Sequence, residues 1–244
     1  MLCSKCGKRE AIIKIDGYNL CKNCAINEIN NKVRKLVNIS KILENKQKVI
    51  ISYLYFNDNI ANILFQIISK ITTKRNLKVE LLDLSESDAA SKSISEVLWQ
   101  YLVNLKKIYD ENTAYFSSFT SDFLLTYFLY STLTGDRSYL PLVSLIYTYA
   151  EKVTLFQPLI SIPSYYLSVF GEWRIKRTGD NLFDELFNWG VKNLYDNPDL
   201  FRTFTKSLDL YLTKNRCRVC GALIPEGSKL CSRCSKILAS PFHP

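Results

Sequence analysis

The sequence of 244 residues has one histidine, His243, and lacks any apolar run as long as the roughly 20 residues that a membrane-spanning helix needs. The scarcity of histidine excludes sites in which a histidine activates a serine or cysteine nucleophile. The most apolar segment, residues 123–130, is soon followed by Gly135, Asp136 and Arg137. Cysteines and charges begin at once at the N-terminus, unlike in a signal peptide. We therefore expect a cytoplasmic protein that contacts no membrane.

Cysteine is absent from residues 25–216, whereas eight cysteines lie in the two ends. Cytoplasmic thiols stay reduced, so this number predicts metal sites rather than disulfides. Each end holds two Cys-x-x-Cys pairs, and two such pairs can place four sulfurs around one ion as a tetrahedron. The predicted ligands are Cys3, Cys6, Cys21 and Cys24 for one ion, and Cys217, Cys220, Cys231 and Cys234 for the other.

The expected metals are two structural Zn²⁺ ions, because a closed four-thiolate site has no open position for chemistry. An iron–sulfur cluster is the alternative, since it can use the same four ligands. Neither end is long enough to form a core alone, so metal binding should supply much of its folding energy. Gly7 and Gly221 follow the second cysteine of a pair, where the turn favours a positive φ.

The charge of the chain is concentrated in its ends. The formal net charge is +9, of which residues 1–50 carry +7 and residues 214–244 carry +5, whereas residues 51–213 carry −3. Two filled four-thiolate zinc sites lower the total by about four and leave both ends positive. Basic ends beside a slightly acidic middle predict contact with a polyanion, and lysine-rich solubility is the alternative.

Strands and helices alternate through the middle of the chain. A hairpin with its turn at Asp16-Gly17 lies between the first two cysteine pairs. Apolar periodicity then predicts a basic helix over 25–45, strands over 48–54, 77–84 and 113–118, and helices over 59–72, 88–109 and 121–133. Alternation of this kind predicts an α/β fold with a parallel sheet covered by helices on both faces. From residue 164 the pattern is helical, with a break at Pro198.

A zinc finger, a basic helix, an α/β domain and a terminal zinc ribbon follow one another in this chain. That order resembles the PP-loop tRNA 2-thiouridine synthetases, which include the cytosolic tRNA thiolation proteins. The segment Phe156-Gln157-Pro158-Leu159 is similar to a proline-containing strand of the family. Residues 201–215 resemble its final helix, and residues 241–244 its short tail.

The resemblance implies a Rossmann-like core of the adenine nucleotide alpha hydrolase type and a division of the chain into five parts. These are an N-terminal four-cysteine zinc finger (1–27), a basic linker helix (28–46), a PP-loop α/β domain (47–170), a helical C-terminal region (171–213) and a C-terminal four-cysteine zinc ribbon with a tail (214–244).

The chain departs from the family at the nucleotide loop. The family has Ser-Gly-Gly-x-Asp-Ser there, whereas this chain reads Leu54, Tyr55, Phe56, Asn57, Asp58 and Asn59, and only Asp58 matches. A second motif, Gly-His-Asn-x-x-Asp-Asp, aligns with residues 117–122 and retains Asp122. The catalytic cysteine pair of the family is missing. The comparison implies a degenerate member without catalytic residues and without bound nucleotide.

Bulky side chains are expected to fill the former nucleotide pocket. Tyr55, Phe56 and Phe119 are the candidates. Asp58 and Asp122 follow the ends of two strands, where such folds bind ligands. We interpret both as helix N-caps, and a residual acidic pair is the alternative.

The resemblance implies a non-catalytic partner that helps an active PP-loop thiolation enzyme to hold tRNA or another structured RNA. The partner would be that enzyme in a hetero-oligomer, or a second copy in a homodimer. One alternative is a stand-alone zinc protein that binds RNA or the ribosome, and another is a residual ATP-dependent tRNA sulfurtransferase. The expected phosphate contacts are Lys5, Lys8, Arg9, Lys32, Arg34, Lys35, Arg216, Arg218 and Arg233.

Overall fold

A five-stranded sheet forms the centre of the protein. The structure, a computed structural model, describes residues 1–86, 92–150, 152–194, 197, 199–200, 203 and 215–239. The predicted helix start at 88, the break at Pro198, almost all of the predicted final helix over 201–215, and the tail with His243 lie outside the described residues.

The strands of the central sheet are β3 (Lys48–Tyr53), β4 (Lys78–Asp83), β5 (Thr113–Ser117), β6 (Ile146–Tyr149) and β7 (Val153–Phe156). Their order across the sheet is β4-β3-β5-β7-β6. The first four are mutually parallel, and β6 pairs antiparallel with β7 at one edge. The hairpin of β1 (Ile13–Ile15) and β2 (Tyr18–Leu20) forms a separate small sheet.

Helices cover both faces of the central sheet, and the predicted α/β class is confirmed. They are α1 (Lys22–Ser40), α2 (Asp58–Thr72), α3 (Ile94–Lys107), α4 (Ser121–Thr134), α5 (Asn181–Asn193) and α6 (Ser232–Ala239). Successive residues of β5 face opposite sides of the sheet. Phe116 packs with α1 and α2, whereas Tyr115 packs with α3 and α4. In the part of the chain that the structure describes, no helix has the length and apolarity to cross a membrane.

Each cysteine-bearing end joins one of these two cores. The N-terminal cysteines belong to the core that includes α1 and α2. The C-terminal cysteines belong to the core that includes α3 and α4. The two cysteine quartets therefore lie on opposite faces of the sheet.

Three sequence predictions need correction. The helix predicted over 25–45 runs over Lys22–Ser40, because Lys41 takes a left-handed conformation with φ of 54° that ends it. The edge strand β6 was missed, and it makes the sheet mixed rather than wholly parallel. The segment from 164 onward, predicted as helical, has a short 3-10 helix at Ser164–Val169 and then no regular structure until Asp180 caps α5.

The chain order places a crevice at the carboxyl edge of the sheet. After β3 the chain crosses to β4 on one side, and after β4 it returns past β3 to β5 on the other. The connections that leave β3 and β5 therefore diverge. Open α/β sheets bind their ligands in the crevice between two such connections. Loop 54–57 and residues 118–120 stand at this point.

Candidate metal centres and the carboxyl edge of the sheet

Four thiols converge at each end of the chain. In each quartet, all four sulfurs lie within 4.8 Å of one another. The sulfurs of Cys6 and Cys21 are 3.9 Å apart, and those of Cys220 and Cys231 are 3.6 Å apart. A tetrahedral ion with metal–sulfur bonds of about 2.3 Å needs sulfurs about 3.8 Å apart. Each quartet therefore fits one metal ion held by four thiolates.

Tight turns bring the sulfurs of each pair together. The N–H of Gly7 donates to the carbonyl of Cys3 at 2.9 Å, and that of Gly221 donates to the carbonyl of Cys217 at 2.9 Å. Gly7 and Gly221 have φ of 62° and 74°, which confirms the predicted positive values. The second pair of each quartet lies at the start of a helix, α1 or α6.

The thiols of the N-terminal quartet have shifted proton affinities. Hydrogen bonding to the backbone of Cys21 lowers the pKa of Cys3 to about 6, although burial opposes this shift. Hydrogen bonding to the backbone of Cys24 lowers the pKa of Cys21. Burial and the neighbouring thiols raise the pKa of Cys24 to about 12. The quartet thus stabilises some thiolates but retains protons elsewhere, and a divalent cation would displace the remaining protons.

The N-terminal module docks through its hairpin turn. Asp16 and Gly17 have φ of 50° and 88°, as the predicted two-residue turn requires. The N–H of Asp16 donates to the hydroxyl of Tyr166 at 3.1 Å, and the carboxylate of Asp16 pairs with Lys32. The turn therefore joins α1 to the 3-10 helix at Ser164–Val169.

The C-terminal quartet is built into the core. All four of its cysteines are buried. The indole N–H of Trp99, on α3, donates to the sulfur of Cys234 at 3.4 Å. The hydroxyl of Tyr139 lies 3.9 Å from the sulfur of Cys220. These contacts are the outer partners that orient metal ligands in proteins, and sequence reasoning missed both aromatic residues.

Gly221 marks the closest approach of the ribbon to the sheet. A Cβ atom at this position would lie 2.1 Å from the hydroxyl of Tyr147 and 2.4 Å from the Cβ of Tyr149. Both tyrosines are buried and belong to β6. The edge strand that the sequence did not reveal thus forms the docking surface of the ribbon.

Aromatic rings fill the carboxyl edge of the sheet beside loop 54–57. Phe56 is 0% exposed, and its ring stacks on that of Phe123 with centroids 5.5 Å apart. Phe119 stacks on Phe123 at 4.9 Å and contacts Tyr101 at 5.3 Å. Phe123 also contacts Phe183 of α5 at 5.2 Å. The rings form one continuous buried stack where the strand connections diverge.

Three backbone amides of loop 54–57 have partners within the protein. The N–H of Leu54 donates to the side-chain carbonyl of Asn57 at 2.9 Å. The N–H of Tyr55 donates to the hydroxyl of Ser85 at 2.7 Å, and that of Asn57 to the carbonyl of Leu54 at 2.9 Å. Backbone amides bind phosphates only when they point outward and unpaired. These three amides are already engaged.

Two aspartates near this edge hold other parts of the chain. The N-cap interpretation is wrong, because the N-cap residues are Asn57 and Thr120. The carboxylate of Asp58 pairs with Lys176 at 2.6 Å. Asp122 is buried, which raises its pKa, and its carboxylate accepts hydrogen bonds from the backbone and the hydroxyl of Ser164. Both side chains are committed to contacts inside the protein.

The predicted phosphate contacts fall into two groups. Five are engaged within the protein: Lys5 with Glu28 at 2.7 Å, Lys32 with Asp16, Arg34 with the side-chain oxygen of Asn31 at 3.5 Å, Arg216 with the carbonyl of Thr148 at 3.2 Å, and Arg233 with Asp136 at 2.9 Å. The others are exposed: Lys8, Arg9, Lys35 and Arg218. The exposed group is available to a polyanion without breaking an ion pair of the folded chain.

Replacing Gly221 with alanine is expected to destabilise the protein by about 3 kcal/mol, because overpacking against β6 adds to the strain of a positive φ. Gly227→Ala is the matched control in the same ribbon, since its φ is 85° but no atom lies within 4 Å of the added Cβ. The control should lose about 1 kcal/mol. Denaturant unfolding measures both, and equal losses would contradict the tight docking of the ribbon.

The N-terminal ion should be released to a chelator faster than the C-terminal ion. Cys6 and Cys24 are half-buried, whereas the whole C-terminal quartet is buried and packed against Trp99. Local opening exposes a shallow site more often than a core site. Cys234→Ser and Cys6→Ser each leave one intact quartet for comparison. Metal release, monitored with a colorimetric chelator, should be faster from Cys234→Ser, which retains the N-terminal quartet, than from Cys6→Ser, which retains the C-terminal one. The reverse order would contradict the deeper burial of the C-terminal site.

Comparison with known proteins finds a structural likeness that extends over the whole chain. No protein family and no curated protein matches the sequence. The structure is similar to that of the U34-tRNA thiolase NcsA from Methanococcus maripaludis, solved with its 4Fe-4S cluster. The TM-score is 0.65 at 17% identity, and the match covers 100% of this chain and 98% of the thiolase. This chain therefore has the fold of a PP-loop tRNA thiolase.

Proposed function

We propose that this protein is a non-catalytic, tRNA-binding relative of the U34-tRNA thiolases that acts with an active enzyme in wobble-uridine 2-thiolation. The observation that carries the proposal is the filled carboxyl edge of a thiolase fold. Phe56 and Phe119 occupy the crevice, and the amides of Leu54, Tyr55 and Asn57 bind within the chain. The chain thus has the fold of a thiolase, but the crevice in which a nucleotide would bind is filled by side chains.

The distribution of cysteine supports the absence of sulfur transfer. All eight cysteines of the sequence belong to the two quartets, and residues 25–216 contain none. A cysteine that carries sulfur must exchange bonds during the reaction, whereas a closed four-thiolate site uses all of its ligands. A filled pair of quartets would therefore leave no thiol for catalysis.

Zinc is the proposed metal at both quartets. The sulfur separations of 3.6 Å and 3.9 Å suit thiolates on a single ion. A four-iron cluster holds its thiolates farther apart, because each thiolate binds a different iron. Four thiolates without an oxygen or nitrogen ligand select zinc among the common divalent ions. We assign both ions a structural role.

Exposed basic residues around the quartets support RNA as the ligand. Lys8 and Arg9 are exposed beside the first quartet, and Arg218 is exposed inside the second. Lys35 adds a further exposed charge on α1. Such residues contact phosphates without reading sequence, so they suit an RNA that a partner enzyme selects.

Binding of tRNA should weaken steeply as salt rises, because each phosphate contact releases counterions. A triple variant with Lys8, Arg9 and Lys35 changed to serine should reduce the slope of log affinity against log salt by about 3. Lys78→Ser is the control, since this exposed lysine of β4 already pairs with Glu80. Fluorescence anisotropy with labelled tRNA measures both. A flat salt response of the unaltered protein would contradict RNA binding.

A co-purification experiment separates the proposed role from a stand-alone one. Tagged protein recovered from its native cells should carry an active PP-loop thiolase together with tRNA. Recovery with tRNA or ribosomes but without a thiolase would favour the stand-alone RNA-binding protein. Thiolation of tRNA by the purified chain alone would contradict the non-catalytic assignment.

A further inference from the structure

A basic strap crosses the carboxyl edge of the sheet. We define the strap as residues 172–177, which read Glu-Trp-Arg-Ile-Lys-Arg and lie outside any helix or strand. The backbone N–H of Lys176 donates to the carbonyl of Phe56 at 2.7 Å. Just after the strap, the N–H of Thr178 donates to the carboxylate of Asp184 at 2.9 Å. The strap is therefore fixed onto loop 54–57 at one side and onto α5 at the other.

Burial alternates along the strap. Trp173 and Ile175 are partly buried and pack against the apolar cores of the sheet. Arg174, Lys176 and Arg177 are exposed. The inward residues anchor the strap, and the outward ones present three cations in a row.

Two of these cations lack a partner among the described residues. The ammonium of Lys176 pairs with Asp58 at 2.6 Å. The side chains of Arg174 and Arg177 make no hydrogen bond or ion pair with any residue that the structure describes. The strap carries a net charge of +2, although residues 51–213 as a whole carry −3. A positive surface in a domain of negative net charge favours a ligand of opposite charge.

The strap also follows a segment that contacts the N-terminal module. It follows the 3-10 helix at Ser164–Val169, in which Tyr166 binds Asp16 and lies under the ammonium of Lys32 at 5.8 Å. The strap therefore leads from a segment that contacts the N-terminal module to the carboxyl edge of the sheet. An arginine fork suits phosphate oxygens in particular, because it can donate two parallel hydrogen bonds.

We infer that Arg174 and Arg177 form a third phosphate-binding surface for the RNA backbone, between the two metal-bearing ends. This inference rests on the proposed function, since it assumes that the ligand of the ends is RNA. The strap would guide the RNA over the closed edge of the sheet. The charge distribution of the sequence placed phosphate binding only in the two ends of the chain. This inference adds a phosphate-binding surface in the central domain.

The test compares tRNA binding by the full-length, metal-loaded protein and its variants. Changing both Arg174 and Arg177 to serine should weaken binding about tenfold at moderate salt and reduce the log–log salt slope by about 2. Changing both to lysine should retain most of the slope, because each phosphate contact keeps its charge. The melting temperature should stay unchanged in both variants, since neither arginine has a described partner to lose.

The matched control removes two charges at the opposite edge of the sheet. Lys106 and Lys107 are exposed at the carboxyl end of α3, which runs against the parallel strands. Changing both to serine should leave the affinity and the slope nearly unaltered. An equal loss in this control would overturn the inference, because net charge alone would then explain both results.

Two further outcomes separate this inference from the proposed function. If the unaltered protein binds tRNA and the arginine-to-serine variant binds equally well, the strap inference fails and the proposed function stands. Loss of thiolase co-purification with unaltered tRNA binding would likewise overturn the inference and identify the strap as a protein contact. If the unaltered protein binds no tRNA, the proposed function itself fails.

Discussion

The stack of aromatic rings at the carboxyl edge of the sheet determines what the rest of this structure can do. The chain order around β3 opens a crevice there, and Phe56, Phe119 and Phe123 fill it. Burying a phenylalanine side chain contributes about 2–3 kcal/mol, and each ring pair adds about 1 kcal/mol. A ligand in this crevice would have to displace several such contacts. The position at which open α/β sheets bind their ligands is occupied here by side chains of the core.

The two quartets join the central domain on opposite faces of its sheet, and each belongs to a different core. The N-terminal module packs through α1 and through the contact between Asp16 and Tyr166. The C-terminal ribbon lies against β6 and places its cysteines among Trp99 and Tyr139. Metal binding at either end would therefore stabilise a face of the central domain as well as its own short segment. Both ends also present exposed cations to the solvent, on residues other than the metal-binding cysteines.

The sequence predicts best those features that depend on local chemistry. Cysteine spacing predicted both quartets, because each pair closes within one turn. The apolar runs of β3 and α2 predicted those elements to within a residue, since their periodicity is unbroken. The α/β class followed from the alternation of strands and helices.

What the sequence could not reveal depends on distant contacts. The strand β6 has only four residues, and it is held in place by pairing with β7 and by packing against the C-terminal ribbon. Residues 164–170 have a spacing that suggests a longer helix, but Gly171 with φ of 148° and the hydrogen bond from Lys176 to Phe56 give an irregular strap instead. The hydrogen bond from Trp99 to Cys234 joins residues that are far apart in the chain, so no local sequence pattern predicts it.

The measurement that tests the central claim most directly is thermal unfolding of the zinc-loaded protein with and without saturating ATP–Mg²⁺. A nucleotide present at about 100 times its dissociation constant would stabilise the native state by about 2.7 kcal/mol and raise the melting temperature by several degrees. We expect no change, because the aromatic stack fills the crevice and three amides of loop 54–57 already have partners within the protein. A rise of that size would contradict the closed edge.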